Sequence, residues 1–577
     1  MATRGLVLLF AALCLLAISA PAQAAIGDLD GQSCISKGGA GGCAVLPQPE
    51  MLEFAHGVVV APDGTDVYVG AGAGVAHFRR APDGSLTYAN CVDTDGSMLS
   101  RCPASAPPDG GNALSANAID LAISPDGKFL YAVSWAKALL WWSRDPSTGD
   151  LTWGGCRDGA SNSATNGHCG TATTFAGGNF PAGAMEYSHG ISITPDGKTI
   201  YIADQTEGLL QAQRNITTGV ATPTDCFNTV GSAKPECTTT AADVPMALSS
   251  VDVASNSRDV YVRSISPAGI TQFSRTSGSN TSFISCVASG SPSASCVTAA
   301  PFPVFSYSGS LGVAGSLLFS EGGNYAPVSG TIGRFSRHAN GTLEYESCAT
   351  TESSPGPCSS LPAQTLEGSI GRLLVSPDAS SVYLLQGGSE ERALTRLSGS
   401  LAFASCLSDT GVAACSPPLL PAPFSRQSGQ MVLSPDGKQI YQTAEDTLNI
   451  YNVAGQPADT PDAHGQASSS QASGSKKAKA PKIKSLKRTK KGSYRIKVKV
   501  QQLGTITAQL TGKLKPKSKA VKLGKAAKKT ATKAGTYALV LKPPKAAREA
   551  KVRARLVVTL APSGFLPARA SKSFKLR

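Results

Sequence analysis

The sequence predicts an all-β chain: a seven-bladed β-propeller closed by its own N-terminal strand, followed by a small C-terminal β-sandwich. Three observations predict it. Cysteines pair off seven times at a regular beat, and a strand–turn–strand unit centred on Pro-Asp-Gly keeps the same beat. Beyond residue 475 the composition turns abruptly basic while period-two alternation persists. With 41% hydrophobic and 16% charged residues, Gly 60 and Pro 37, the chain is neither a coiled coil, a collagen-like rod nor a long membrane bundle.

The first 24 residues read as a secretory signal. Arg4 supplies the charge, residues 5–18 the apolar stretch, and Ala22-Gln23-Ala24 the small-x-small cleavage site. Cys14 lies in that segment. The other 14 cysteines form close pairs: Cys34 with Cys43, Cys91 with Cys102, Cys156 with Cys169, Cys226 with Cys237, Cys286 with Cys296, Cys348 with Cys358, and Cys406 with Cys415. None is a C-x-x-C and no His keeps register with them, so zinc spacing is absent. Local disulfides in an oxidising compartment are expected, and with them a secreted or surface-associated protein.

The first Cys of each pair recurs every 57 to 70 residues. Between pairs runs an apolar strand, a Pro-Asp-Gly turn and a strand with Tyr. The copies are Val58-Val-Val-Ala-Pro-Asp-Gly64 with Tyr68, Leu121-Ala-Ile-Ser-Pro-Asp-Gly127 with Tyr131, Ile191-Ser-Ile-Thr-Pro-Asp-Gly197 with Tyr201, and Met431-Val-Leu-Ser-Pro-Asp-Gly437 with Tyr441. Degenerate copies occupy 251–256 with Tyr261, 373–378 with Tyr383, and 311–319. Pro presets φ and Gly permits positive φ, so the turn sends the chain back as a hairpin. A third strand ends near a basic residue, as at Leu139-Leu-Trp-Trp-Ser-Arg144. A fourth follows, as at Gly149-Asp-Leu-Thr-Trp-Gly-Gly-Cys156. Four strands per repeat without helical periodicity make a propeller blade, since a unit this small has no core without its neighbours.

The last repeat holds three strands, ending near Val453. The segment Gly27-Asp-Leu-Asp-Gly-Gln-Ser-Cys34 matches Gly149-Asp-Leu-Thr-Trp-Gly-Gly-Cys156 at Gly, Asp, Leu and Cys. The N-terminal strand is therefore expected to complete the seventh blade, which removes a free sheet edge.

On these residues the chain resembles the lactonase-like propellers related to 6-phosphogluconolactonase and, more loosely, the YVTN surface-layer propellers. The resemblance spans about residues 25–453. It implies His residues shortly before the Pro-Asp-Gly turn, met here by Ala55-His56-Gly57 and Ser188-His189-Gly190, and an Asp after the Tyr strand, met by Asp204 in Tyr201-Ile-Ala-Asp204. Blade 2 departs from the pattern, with Ile119-Asp120 in the His place. His56, Asp120, His189 and Arg372 precede or begin inner strands, so they are expected near one mouth of the central channel. There a His acts as general base on water, Arg372 stabilises an oxyanion, and Asp120 and Asp204 bind ligand. The bland alternative is that each is a hydrogen-bonded turn residue. G-x-S-x-G, H-E-x-x-H and P-loop motifs are absent. Asp28-Leu-Asp-Gly31 and Asp93-Thr-Asp-Gly96 lack the rest of a calcium loop, so neither metal nor cofactor is expected.

Residues 455–475 read as a flexible linker. Residues 476–577 carry 31 Lys and Arg against one acid, Glu549, whereas 25–475 carry 21 basic against 38 acidic residues. Tyr494-Arg-Ile-Lys-Val-Lys-Val500 alternates at period two, as do 504–510, 536–541 and 552–560. The pattern suggests a sandwich similar to immunoglobulin-like or fibronectin-like modules, with one apolar and one cationic face. Such charge attracts a polyanion, while the few aromatics argue against sequence-specific nucleic acid. The leading expectation is an exported binding or scaffold module tethered to an anionic cell-surface polymer or polysaccharide, with another exported protein as a further partner. Two alternatives stand beside it: a secreted lactonase-like hydrolase of a sugar or carboxylic lactone, and an adhesin packed into a surface layer.

Overall fold

The computed structural model describes residues 27–454 and 481–575 with interruptions. The longest lie at 94–117 and 160–179 (Cys102 and Cys169 within them are described), 230–235, 301–308, 418–427, 513–520, 544–552 and 562–567. The expected signal segment and linker lie outside the described residues. Contacts group the chain into two compact units, Met1–Gln471 and Ala472–Arg577.

The first unit is an all-β propeller. Among the described residues it holds seven antiparallel sheets, each packing on the next and the seventh on the first. Blade 1 runs Val58–Val60, Asp66–Ala71, Gly74–Arg80, Leu86–Asp93, from the inner strand a to the outer strand d. Blades 2 to 6 begin with strands a at Ala118–Ile123, Ser188–Ile193, Leu248–Val253, Leu311–Ala314 and Ser369–Val375. Blade 7 takes three strands from Ser428–Leu433, Gln439–Ala444 and Thr447–Val453. Its fourth is Leu29–Ser36, which pairs antiparallel with Thr447–Val453.

Strand b is buried on both sides, as at Asp66–Ala71, because sheets cover both its faces. Tyr68, Val59 and Val75 of blade 1 thus pack with Leu121, Leu130, Leu140 and Trp142 of blade 2. Strand d alternates instead, as in Leu151–Asp158, because it forms the rim. The glycines of the four Pro-Asp-Gly turns that join strands a and b lie at φ between +67° and +73°, a region costly for residues with a Cβ.

All seven expected cysteine pairs are bonded, each within its own loop. Cys34 joins Cys43, Cys91 joins Cys102, and Cys156 joins Cys169. Cys226 joins Cys237, Cys286 joins Cys296, Cys348 joins Cys358, and Cys406 joins Cys415. Their Cα–Cα distances run from 4.4 to 5.1 Å.

The bonds add something the four-strand expectation lacked. The residues after the second Cys turn back beside those after the first, making a short parallel fifth strand. After Cys237, Thr238 stands opposite Phe227. After Cys296, Thr298 stands opposite Val287, and after Cys358, Ser359 opposite Ala349. After Cys43, Ala44 stands opposite Ile35. After Cys415 the pairing shrinks to a single parallel bridge between Leu407 and Ser416. Parallel pairing ordinarily needs a crossover of a dozen or more residues. Here the cystine-closed connection takes fewer, seven residues between Ser36 and Ala44 and eight between Thr229 and Thr238, and the outer edge of four blades is covered.

The opposite face, with the a–b and c–d turns, carries a repeated latch. Tyr68 donates to the Gly149 carbonyl of the next blade at 2.6 Å. Arg144, at the end of that blade's strand c, donates Nε to the Tyr68 hydroxyl at 2.9 Å and pairs with Asp63 of the Pro-Asp-Gly turn at 3.0 Å. Tyr131, Gly219, Arg214 and Asp126 repeat this between blades 2 and 3, and Tyr441, Gly84, Arg80 and Asp436 between blades 7 and 1. Tyr261, Gly341, Arg337 and Asp259 serve blades 4 and 5. Between blades 3 and 4, Arg275 holds Asp196 while Tyr201 meets Thr281. Where glycine accepts, the backbone requires it: Gly149 sits at φ +73°, and a Cβ there would meet Asp66 and His77 at 2.5 Å.

Blades 6 and 7 use a reversed form, with Tyr383 donating to Gly27 O and Arg396 paired with Asp28 at 2.7 Å. Among the described residues, blades 5 and 6 have no such latch. Phe319 stands where the Tyr would be, and register places Gly399 where the Arg would be.

The second unit has a three-stranded sheet, Lys482–Arg488, Tyr494–Val500 and Gly535–Leu541. A second sheet is built on Gly504–Gly512, Arg553–Ala561 and Ala568–Lys575. One apolar cluster joins them: Ile496, Val498, Leu539 and Leu541 from the first, Ile506, Ala508, Leu556 and Val558 from the second.

Candidate functional site

The heads of the inner strands share one face with the cystine-closed loops, and the residues expected at the channel mouth lie there. Asp120, in strand a of blade 2, is fully buried. One carboxylate oxygen accepts the Leu121 N–H at 2.7 Å and the other the Ile191 N–H of blade 3 at 3.0 Å. It joins adjacent inner strands. Gln430, at the same register position in blade 7, does likewise for the Val58 N–H of blade 1 at 3.2 Å.

Asp204, also fully buried, ends strand b of blade 3. Its Oδ1 accepts the N–H groups of Thr206 and Glu207 at 3.0 and 2.9 Å. Its Oδ2 accepts from the Tyr187 N–H and the Ser188 hydroxyl at 3.2 and 3.0 Å. This is an Asx-turn arrangement, in which short side-chain oxygens replace backbone acceptors. His189 is half-buried, with Nε2 3.3 Å from Gln205 Oε1. His56 is half-buried two residues before strand a of blade 1. Its N–H donates to Gly70 O at 2.9 Å, and its carbonyl accepts from Gln430 N of blade 7 at 3.0 Å. Arg372 lies in strand a of blade 6 opposite Leu385, and its side chain is outside the described residues. The five residues are thus spread over blades 1, 2, 3 and 6.

Two charged groups inside the ring escaped the sequence reading. Arg263 and Glu321 are both fully buried, in strands b of blades 4 and 5. Burial pushes the Arg263 guanidinium down to about 10, against the opposing pull of Glu321. Glu321 Oε1 accepts Ser310 N and Oγ at 2.8 and 3.1 Å. A signal existed. Both stand two residues beyond the Tyr position, where blades 2, 3 and 6 have Val133, Ala203 and Leu385.

A different surface lies on the second unit. In Tyr494–Val500 burial alternates without a break: Ile496, Val498 and Val500 face the core while Arg495, Lys497 and Lys499 are exposed. Lys482 of the neighbouring strand, also exposed, stands directly opposite Lys499. Like charges set opposite each other destabilise a sheet. Among the described residues no group of three or more His, Cys, Asp or Glu suits a metal ion.

No family model matches the chain, and no curated protein does. Solved structures do resemble it. A putative 6-phosphogluconolactonase from Bacteroides uniformis is 13% identical over 66% of this chain and 88% of its own, with TM-score 0.38. Another, from Bacteroides fragilis, is 13% identical over 63% and 85%, also at 0.38. The β-propeller domain of Myceliophteria thermophila Cps50 (Swd1) is 11% identical over 70% and 97%, at 0.40. Likeness at this level carries no inference about activity.

Proposed function

We propose that the chain is an exported, cystine-stapled propeller that works as a binding or scaffold module, held to an anionic surface by its cationic C-terminal unit. The observation that carries this reading is the strand Tyr494–Val500, with three exposed cations above a buried apolar row. Seven cystines support export, since such bonds persist in oxidising compartments. No helix among the described residues is long and apolar enough to cross a membrane. The expected result is that the full chain is retained on an anionic matrix at about 0.05 M salt, released by about 0.5 M, and not retained once 455–577 are removed. The screening length shrinks from about 10 Å at 0.1 M toward about 3 Å at 1 M, so release must follow salt. Retention unchanged by salt or by the truncation defeats the tether.

A second reading, a lactonase-like hydrolase, is favoured only by the two half-buried imidazoles of His56 and His189 at the heads of inner strands. A general base contributes about 10²–10⁴-fold. In a lactone panel, that reading requires turnover by the wild type and at least a ~100-fold loss in His56→Ala or His189→Ala. No turnover, or turnover indifferent to both substitutions, removes it.

A further inference from the structure

The geometry points to an occupant for the cationic face: we infer that the three-stranded sheet of the second unit docks an extended polyol-phosphate polymer, one phosphate per cation along Tyr494–Val500. The inference rests on the tether reading and gives its anionic surface a chemistry.

Arg495, Lys497 and Lys499 alternate with buried residues, so they share one face and recur every two residues. At 3.2–3.4 Å per residue that is a cation about every 7 Å. A glycerol-phosphate repeat has six backbone bonds, twice the three of a peptide unit. Since an extended peptide unit spans 3.3–3.6 Å, the polymer also advances about 7 Å per phosphate. The two periods are commensurate, and a straight strand can meet successive phosphates without either chain bending.

The flanks of the row differ. On one side Lys482 stands opposite Lys499 and Ser485 opposite Lys497. On the other, Val540, Ala538 and Thr536 stand opposite Arg495, Lys497 and Lys499. All three are exposed, Val540 to 46%. They make a low, uncharged shelf beside the cations, suited to the methylene groups of a polyol. The strands Lys482–Arg488, Tyr494–Val500 and Gly535–Leu541 contain no Asp or Glu, so the sheet supplies no counter-ion of its own. Its two aromatics, Tyr494 and Tyr537, pack with the apolar core. A polymer bearing bases therefore finds no stacking platform on this face, which favours a plain polyol phosphate over single-stranded nucleic acid.

The test uses the full chain and three probes of matched charge: poly(glycerol phosphate) of about 20 repeats, polyglutamate and oligo(dT). Binding is measured from about 0.05 to 0.5 M salt for the wild type, for Arg495→Gln/Lys497→Gln/Lys499→Gln, and for Lys515→Gln/Lys517→Gln/Lys519→Gln, which removes equal charge at sequence positions outside the three strands. A single-stranded polyanion loses ~0.7 decade of affinity per decade of salt for each contact. The strand variant is expected to flatten the slope by about 2 and to bind poly(glycerol phosphate) ~100-fold more weakly at 0.1 M, with unchanged thermal unfolding. The other variant is expected to lose less than about a quarter of that slope change. Equal losses in both variants overturn the ordered row while leaving a diffuse tether. Polyglutamate or oligo(dT) binding as tightly as the polyol phosphate overturns the choice of occupant. If the wild type binds none of the three, the tether reading falls as well.

Discussion

Deleting residues 25–46 is expected to abolish the cooperative unfolding of the propeller. The segment carries the fourth strand of blade 7, and its loss leaves Thr447–Val453 an open edge. It also takes away the Cys34–Cys43 bond, the Gly27 carbonyl that accepts from buried Tyr383, and Asp28, the partner of Arg396. A buried group deprived of its hydrogen-bond partner costs about 1–3 kcal/mol, more when charged. Together with a lost strand this approaches the roughly 5–15 kcal/mol that a typical domain has in total. Circular dichroism melting and gel filtration check it, and an unchanged transition would refute the closure. Restoring the segment as a tight hairpin after Ala454 is expected to rescue folding. Gly27 N already donates to Ala454 O, and Ala454 N to Asp28 O, both at 2.7 Å.

Arg144→Met should destabilise the propeller by about 3–5 kcal/mol at pH 7, the usual cost of removing one partner of a buried ion pair. Arg144 and Asp66 are both fully buried and in direct contact, and Arg144 also holds Asp63. Burial alone would raise the Asp66 carboxyl. Hydrogen bonds from His77, Arg144 and Arg79 and the Arg144 charge overcome it and hold the carboxyl well below the usual carboxylate range. Asp126, Asp196 and Asp436 are lowered too: burial opposes, but a turn hydroxyl and the latch arginine prevail.

The sign follows from linkage. An unfolded Asp takes up its proton near about pH 3.9, while folded Asp66 stays ionised to lower pH. Its stabilisation is complete above about pH 5 and is lost as pH falls below about 4. Denaturant melts of Asp66→Asn, Arg144→Met and the double variant are expected to show strong coupling at pH 7 that shrinks toward about pH 2.5. Additive effects at pH 7 would exclude the latch as an energetic unit.

Much of the ring was legible from residues that repeat. Pro-Asp-Gly, the following Tyr and the paired cysteines mark turns, strands and blade count because each is a local requirement of one hairpin or loop. Cys226 with Cys237, or Cys406 with Cys415, could be matched by nearness alone because each bond closes only its own loop. The latch was not legible, although its basic residue was. Arg144 meets Tyr68 across 76 residues, and only the packing of blade 2 on blade 1 brings them together. The parallel fifth strands were missed because stretches such as Thr238–Thr240 are too short to alternate.

Sequence position suggested Asp120 and Asp204 as ligand-binding residues at the channel mouth but left their hydrogen-bond capacity unknown. The acceptors of Asp120 serve two backbone N–H groups, and those of Asp204 serve a turn. The cationic face of Tyr494–Val500 was readable outright, since period-two alternation depends on nothing beyond the strand.

The seam between blades 5 and 6, with Phe319 and Gly399 in place of Tyr and Arg, gives the ring one joint of a different temperament. Phe319, Ile332, Leu373 and Leu384 meet there in an apolar cluster. Apolar attraction weakens on cooling, whereas the latched seams answer to protons. Cooling therefore loosens every seam, since each carries such a cluster, whereas acid acts on the carboxylate latches and leaves the seam between blades 5 and 6 the least touched.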